Sequence, residues 1–352
     1  MEWYRLKCMG MKESTIRNLM VRLKSYENIS RLSEEQLRTY FKMNSKELEM
    51  LEKADNFSME RYVEELQEKN IKFFTYLSES YPEALKHIAQ PPPFLFYRGK
   101  LEALTEKCIG IVGTRKATSY GRNACEKIVD GLVDAGVTTV SGLALGIDTC
   151  CHRRTLERNG RTIAVLGSGI DVKYPSENRK YWDMIVEKGL ILSEFVPGTI
   201  PAPYNFPQRN RIIAGISRGV VIVESREKGG SLITATLALE EGRDVYAIPG
   251  EIFSPVSEGC NNLIRRSEAK LITSAEHILE EYGWSRSDEI GGELELTPRE
   301  REVFVHFNGA MNLDELLLAT GMNITDLLST LTELELKGIV SSEAGGRYRR
   351  KV

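Results

Sequence analysis

A chain of 352 residues with 47 basic and 50 acidic side chains, net charge -3, has room for two or three cores but carries no uniformly basic coat, so any nucleic-acid contact must come from a local patch. No apolar stretch reaches membrane-spanning length, and Met1-Glu2-Trp3-Tyr4-Arg5 is not a signal peptide. The six cysteines, at 8, 108, 125, 150, 151 and 260, form no CxxC pair and no metal-holding spacing with histidine, so a reduced, cytoplasmic setting without a metal is expected.

Residues 1–70 read as short helices. Leu6 to Leu23 suggests two helices about a Gly10 turn. Ser33-Glu34-Glu35-Gln36 is a capping-box start, and Ser45-Lys46-Glu47-Leu48 is a looser one. The pattern is that of a small helical domain, of helix-hairpin-helix or sterile-alpha-motif-like kind, and such a bundle need do no more than pack. Lys72-Phe73-Phe74-Thr75 is a strand. Pro91-Pro92-Pro93 stiffens the entry to a second, Phe94-Leu95-Phe96-Tyr97.

From 71 to 285 a large domain is expected. Apolar runs recur at 108–112, 137–140, 162–166, 190–192, 220–223 and 245–248, each read as ending in Gly, Ser or a charged residue and each as followed by a helical pattern. Near-continuous apolar strands alternating with helices indicate a mostly parallel, doubly wound α/β sheet covered on both faces. Ligands of such sheets bind at the carboxyl ends of the strands. The helix Gly121 to Ala135 places Ala124, Ile128, Val129, Leu132 and Val133 on one face, and Asp148 is the expected cap of the next. Residues 286–294 read as a linker. Thr297-Pro298 then starts the first of three helices, and the segments around Val340 and Tyr348 form a hairpin, giving a winged-helix domain over 295–352. Its third helix carries Asp326, Glu333 and Glu335 against one lysine, a poor face to offer phosphate.

A dinucleotide site needs G-x-G-x-x-G at the first strand-helix turn, where this chain has Gly113-Thr114-Arg115-Lys116-Ala117-Thr118, and no P-loop sequence occurs. The loops share another character. Gly113, Thr114 and Arg115, Ser141, Gly142 and Gly146, Gly167, Ser168 and Gly169, Arg209, Asn210 and Arg211, and Gly230 with Ser231 all fall at strand ends or helix starts. Backbone N–H groups at such turns hold phosphate oxygens, and arginine adds permanently charged donors. Several such sites on one edge suit a run of phosphates. Tyr174, Tyr204 and Phe206 would stack on unpaired bases, and Lys173, Arg179 and Lys180 would widen the positive rim. Of the four histidines only His152 lies near these loops, and no nucleophile, base or paired-carboxylate arrangement forms, so no catalytic residue is expected.

These motifs resemble the bacterial DNA-processing protein A family, DprA or Smf. The carrying residues are Tyr81-Pro82 with Tyr97-Arg98-Gly99, Gly110-Ile111-Val112-Gly113-Thr114-Arg115, Ser141-Gly142-Leu143-Ala144-Leu145-Gly146-Ile147-Asp148, Gly167-Ser168-Gly169-Ile170-Asp171 with Tyr174-Pro175, Phe206-Pro207-Gln208-Arg209-Asn210-Arg211 and Gly229-Gly230-Ser231. The resemblance implies an extended Rossmann-like domain that binds single-stranded DNA, dimerises, protects incoming strands and helps load the recombinase RecA during natural transformation, with no cofactor. It implies that Arg115 contacts phosphate, that Gly167 and Gly169 offer backbone N–H groups, that Arg209 and Arg211 support the strand, and that Lys173 or Arg179 extends the groove. Two other readings are weighed. A nucleoside monophosphate hydrolase of related fold needs a P-G-G-x-G-T-x-x-E motif, whereas Gly229-Gly230 is followed here by Ser231-Leu232-Ile233-Thr234. A winged-helix transcription regulator must contend with the acidic third helix.

Overall fold

Strands rich in Val, Ile and Leu need cover on both faces, and here they have it. The structure, a computed structural model, describes residues 2–284, 296–307, 310–337, 339–343 and 346–350; the expected linker lies outside them. Two compact units result, Met1–Arg286 and Ser287–Val352.

In the first unit nine strands share one sheet: β1 Lys72–Thr75, β2 Phe94–Gly99, β3 Cys108–Val112, β4 Thr138–Ser141, β5 Thr162–Val165, β6 Leu190–Ser193, β7 Gly219–Ile222, β8 Asp244–Ala247 and β9 Lys270–Leu271. Their order is β1-β2-β6-β5-β4-β3-β7-β8-β9. Pairings from β6 through β9 are parallel, while β2 runs antiparallel to both β1 and β6. The chain thus builds outward from β3 to β6, returns, and builds the other way from β7. The reversal lies between β3 and β7, where Gly110 faces Val140 on one side and Val220 on the other.

Thirteen helices accompany this sheet. α1 Glu2–Cys8, α2 Glu13–Leu23, α3 Glu34–Phe41, α4 Ser45–Asp55 and α5 Glu60–Glu68 precede it, and α6 Glu83–Lys86 lies between β1 and β2. α7 Ser119–Asp134, α8 Ile147–Glu157, α9 Arg179–Lys188, α10 Asn205–Ile216, α11 Gly230–Glu240, α12 Glu258–Arg265 and α13 Glu276–Tyr282 follow the strands. One face of the sheet packs on α6, α10, α11 and α12 through Leu85, Ile212, Ile213, Ala235 and Leu263. The other is covered by α7, α8 and α13 near β3 and by α9 with the N-terminal helices near β2. Local signals explain several starts. Ser33 closes its expected capping box, but α4 is capped one residue early, by Asn44 paired with Glu47. Asp148 is not a cap: Gly146 precedes α8, and Asp148 sits in its first turn.

The N-terminal helices share their core with the sheet. The Tyr4 ring lies 5.6 Å from Phe73, 5.7 Å from Phe94 and 5.6 Å from Phe96, centroid to centroid. Beside this apolar contact lies a buried ionic one. Arg211 Nη2 donates to Glu194 Oε2 at 2.5 Å and lies 3.6 Å from Glu13, which also pairs with Lys7. Burial, with the charge of Glu13 adding, pushes the Glu194 carboxyl up to about 8. Burial works the same way on Glu13, but Lys7 and Arg211 outweigh it and hold that carboxyl below its usual value.

The second unit contains α14 Pro298–Val305, β10 Ala310–Asn312, α15 Leu313–Thr320, α16 Ile324–Leu336, β11 Val340–Glu343 and β12 Arg347–Arg350. Its sheet order, β10-β12-β11, adds to the expected hairpin a strand too short to betray itself by pattern. Val303, Leu316, Leu327, Leu331 and Leu334 form the core. Lys337, at the end of the third helix, is tied to buried Glu300 at 2.7 Å, and Arg299 lies 3.5 Å from Asp326 on the same helix. Ile324 and Leu328, one turn apart, are exposed on α16.

Candidate nucleic-acid interface

The β3/β7 reversal leaves a crevice at the carboxyl edge, because loops on either side of it diverge. Between them lies a pocket of ≈ 680 Å³, within the range of ligand sites. Its composition follows the sheet order. Tyr174 comes from the loop after β5, and Pro201, Pro203 and Phe206 from the loop after β6 and the start of α10. Arg226, Lys228, Gly229 and Gly230 come from beyond β7, and Arg115, after β3, stands between the two groups. One side is therefore aromatic and apolar, the other cationic.

The crevice is pinned. Thr114 N–H donates to Glu224 O at 2.8 Å, and buried Glu224 accepts the Thr118 N–H at 3.0 Å. At Gly146, with φ +82, an added Cβ would lie 2.3 Å from Thr114 O, so only glycine lets α8 start this close to the β3 loop. The Arg115 guanidinium lies 5.5 Å from the Phe206 centroid, and the Phe206 and Tyr174 rings are 5.9 Å apart. Arg115, Arg226 and Lys228 are exposed. At the start of α11 the Leu232 N–H donates to Gly229 O at 3.0 Å, and nothing lies within 4 Å of where a Gly230 Cβ would be. An anion can approach there.

Beneath this rim lies a buried charge pair. Arg209 donates through Nη1 to Gly142 O at 2.7 Å and to Val165 O, and through Nε to Asn210 Oδ1 at 3.0 Å. Burial pushes its guanidinium down to about 10, against the pull of Asp148, which leaves it charged at neutral pH. Asp148 is raised by burial, restrained by Arg209 and by N–H groups of Gly142 and Ala144 at 3.1 and 3.3 Å. His152 is fully buried with Nδ1 2.7 Å from Thr162 Oγ1, and burial pushes it down to about 3, so it stays neutral. Among pocket-lining residues Asp148 is the only carboxylate. Among the described residues no three His, Cys, Asp or Glu side chains gather as a metal site, and no helix is long and apolar enough to cross a membrane.

Of the residues expected at the site, Gly113, Thr114, Arg115, Phe206, Arg209, Asn210, Gly230 and Ser231 do line one pocket. Others correct the expectation. Ser141 is buried and its hydroxyl donates to Ile111 O at 2.6 Å. The Gly169 N–H already donates to Thr199 O at 2.8 Å, so it is not free for phosphate. Gly142, Gly167 and Gly169 are needed for closeness: added Cβ atoms would meet the Arg209 guanidinium at 2.6 Å, the Phe206 ring at 2.7 Å and Gly198 N at 2.7 Å. Ser168 is buried, its carbonyl accepting from Ser193 Oγ at 2.6 Å. Arg209 is buried beneath the rim and Arg211 is spent on Glu194. Lys173 pairs with Asp183 over the Trp182 ring, and neither it nor exposed Arg179 lines the pocket. Two contributors were missed. Arg226 and Lys228 stand immediately before Gly229-Gly230, and that adjacency was the available signal.

Residues 72–283 match the family model described as DNA recombination-mediator protein A, and 293–346 match that of the DprA winged helix domain. Protein Smf of Synechocystis is 37% identical over 337 residues, 84% of each chain. The X-ray structure of DNA processing protein A from Streptococcus pneumoniae, 37% identical, superposes with a TM-score of 0.72 over 80% of this chain and 98% of that one. A Helicobacter pylori DNA processing protein A, described for its single-stranded DNA binding mode, gives 0.55 at 29% identity over 60% of this chain and 95% of its own. Loop motifs in the same order, the doubly wound sheet, the winged helix and matches over most of both chains agree, and the chain belongs to the DNA recombination-mediator protein A family.

Proposed function

We propose that this chain binds single-stranded DNA in the crevice at the β3/β7 reversal and acts in DNA processing without catalysing a reaction. The observation that carries the reading is the pocket itself: exposed Arg226 and Lys228 with the start of α11 on one side, Phe206 with Tyr174 on the other, and exposed Arg115 between them. Cations and N–H groups hold phosphates and rings hold unpaired bases, a combination that a free nucleobase or a duplex uses only in part. The Helicobacter pylori relative's described single-strand binding supports the same ligand. Against a hydrolase, Asp148 is held by two N–H groups and lies close enough to buried Arg209 for its charge to be restrained, leaving no free carboxylate in the pocket to activate water.

Family membership supports the rest of the proposal: a homodimer formed through the large domain that hands the strand to RecA. Six free cysteines suit the reducing cytoplasm in which this would occur. Fluorescence anisotropy with labelled oligo-dT and a duplex of equal length tests the central point. Tighter binding of oligo-dT is expected; equal affinities would transfer the role to the winged-helix unit, and release of free base from a nucleotide would favour a hydrolase.

A further inference from the structure

We infer that the apolar side of the pocket continues outside it as a ledge for unpaired bases, made by Ile200 and Tyr204, so that a bound strand lies with its bases toward the β5 and β6 loops and its phosphates toward the β7 loop. This rests on the single-strand reading above and specifies how that site holds its ligand.

Charge distribution makes the first argument. From Phe195 to Gln208 the chain has no charged residue. Glu194, the first residue after β6, is buried, and the rest of that loop with the first turn of α10 can therefore offer a strand nothing but apolar surface, rings and dipoles. Across the reversal, the β7 loop presents Arg226 and Lys228 against one acid, Glu227, all exposed. β6 and β5 lie on one side of β3 and β7 on the other, so the uncharged part of the β6 loop and the β7-loop cations stand on either side of Arg115, whose guanidinium lies 5.5 Å from the Phe206 centroid. Phosphates and bases are sorted by the order of the strands.

Rigidity makes the second. Gly169 N–H donates to Thr199 O at 2.8 Å, Gly198 N–H to Asp171 Oδ1 at 2.7 Å and Thr199 N–H to Val196 O at 3.0 Å. Asn205 Nδ2 donates to Gly167 O at 3.1 Å. Ile200 and Ala202 each precede a proline, which restricts them to extended backbone. Pro201 and Pro203 line the pocket, while Ile200 and Tyr204 on either side of them are 75% and 74% exposed. A single exposed apolar residue is ordinary. Two on a braced, uncharged segment, continuous with a pocket that already presents Phe206 and Tyr174, form a preset surface for flat apolar groups. A duplex keeps its bases stacked inside and leaves the ledge idle, so the ledge would also favour single strands.

The test uses the full chain, oligo-dT and an abasic oligonucleotide of the same length. An Ile200→Ser/Tyr204→Ser variant is expected to bind oligo-dT about tenfold more weakly, the scale of one lost stacking contact. The slope of log affinity against log salt should not change, because no phosphate contact is lost. Affinity for the abasic strand should equal that of the unaltered protein, and Tyr204→Phe, which keeps the ring, should bind oligo-dT normally. Unchanged oligo-dT binding by the double variant, or an equal loss for the abasic strand, would overturn the ledge alone. Failure of the unaltered protein to bind oligo-dT would overturn the single-strand reading and the ledge together.

Discussion

Replacing Arg115, Arg226 and Lys228 by alanine, singly and together, separates the cationic side of the crevice from everything else. All three are exposed and line one pocket, so each should contribute a charge-assisted contact to a phosphate worth about 1.5–3 kcal/mol. Arg115→Ala alone should therefore weaken oligo-dT binding by roughly tenfold to a hundredfold. Each neutralised phosphate contact in a single strand accounts for about 0.7 of the slope of log affinity against log salt, so the triple variant should lose about 2 units. Stability should hardly move. The contact at risk is that of Arg115 over Phe206 at 5.5 Å, worth about 0.5–1 kcal/mol at an exposed site. Anisotropy titrations between low and moderate salt supply the slope, and urea unfolding supplies the control. A triple variant that binds more weakly with an unaltered slope would refute the assignment of these cations to phosphates.

Three further outcomes follow from the interior. Glu194→Gln should remove a fall in stability as pH rises toward 8. A carboxyl raised to about 8 in the folded chain, against an ordinary 4.5, stabilises fully below its unfolded value. That stability is lost at up to about 1.4 kcal/mol per pH unit as pH rises toward the folded value. Glu13, shifted the other way, acts only at lower pH, while His152, held down to about 3, adds stability as pH rises to its ordinary 6.5 in both proteins; the difference between their urea-unfolding profiles from pH 5 to 8 therefore isolates Glu194, and identical profiles would rule it out. Gly142→Ala should cost about 1–3 kcal/mol by pressing on the Arg209 guanidinium, whereas Gly230→Ala, with open space around it, should stay within about 0.5 kcal/mol. Arg209→Ala should destabilise by about 3–5 kcal/mol in the same measurement, because it leaves Asp148 buried without its counter-charge; a near-neutral result would mean that the pair is not desolvated.

Much of this was legible in the sequence because a strand covered on both faces must be apolar along its whole length. β3 to β8 announced themselves in that way, and the Gly and Arg motifs after them marked the functional edge. What stayed hidden was direction and burial. Arg209 and Arg211 sit in one motif and read as a pair of surface cations, yet one supports the pocket from below and the other is buried against Glu194 at 2.5 Å and Glu13 at 3.6 Å. A sequence displays a charge but not the carboxyl groups that the fold brings to it from other elements. Glycines misled similarly: Gly142 and Gly169 lack side chains to let other groups approach, not to present N–H groups to a ligand. The three-residue β10 is too brief for any periodicity to show.

The meeting of Tyr4 with Phe73, Phe94 and Phe96, next to the Lys7, Glu13, Glu194 and Arg211 cluster, also bears on how this gene product can be dissected. A fragment starting at β1 would carry a greasy, charge-lined scar where α1 and α2 had been. It would be expected to clump or to need a surrogate cover. Chimeras that exchange the leading helices between relatives should succeed only when the scar's aromatic and ionic partners travel with them.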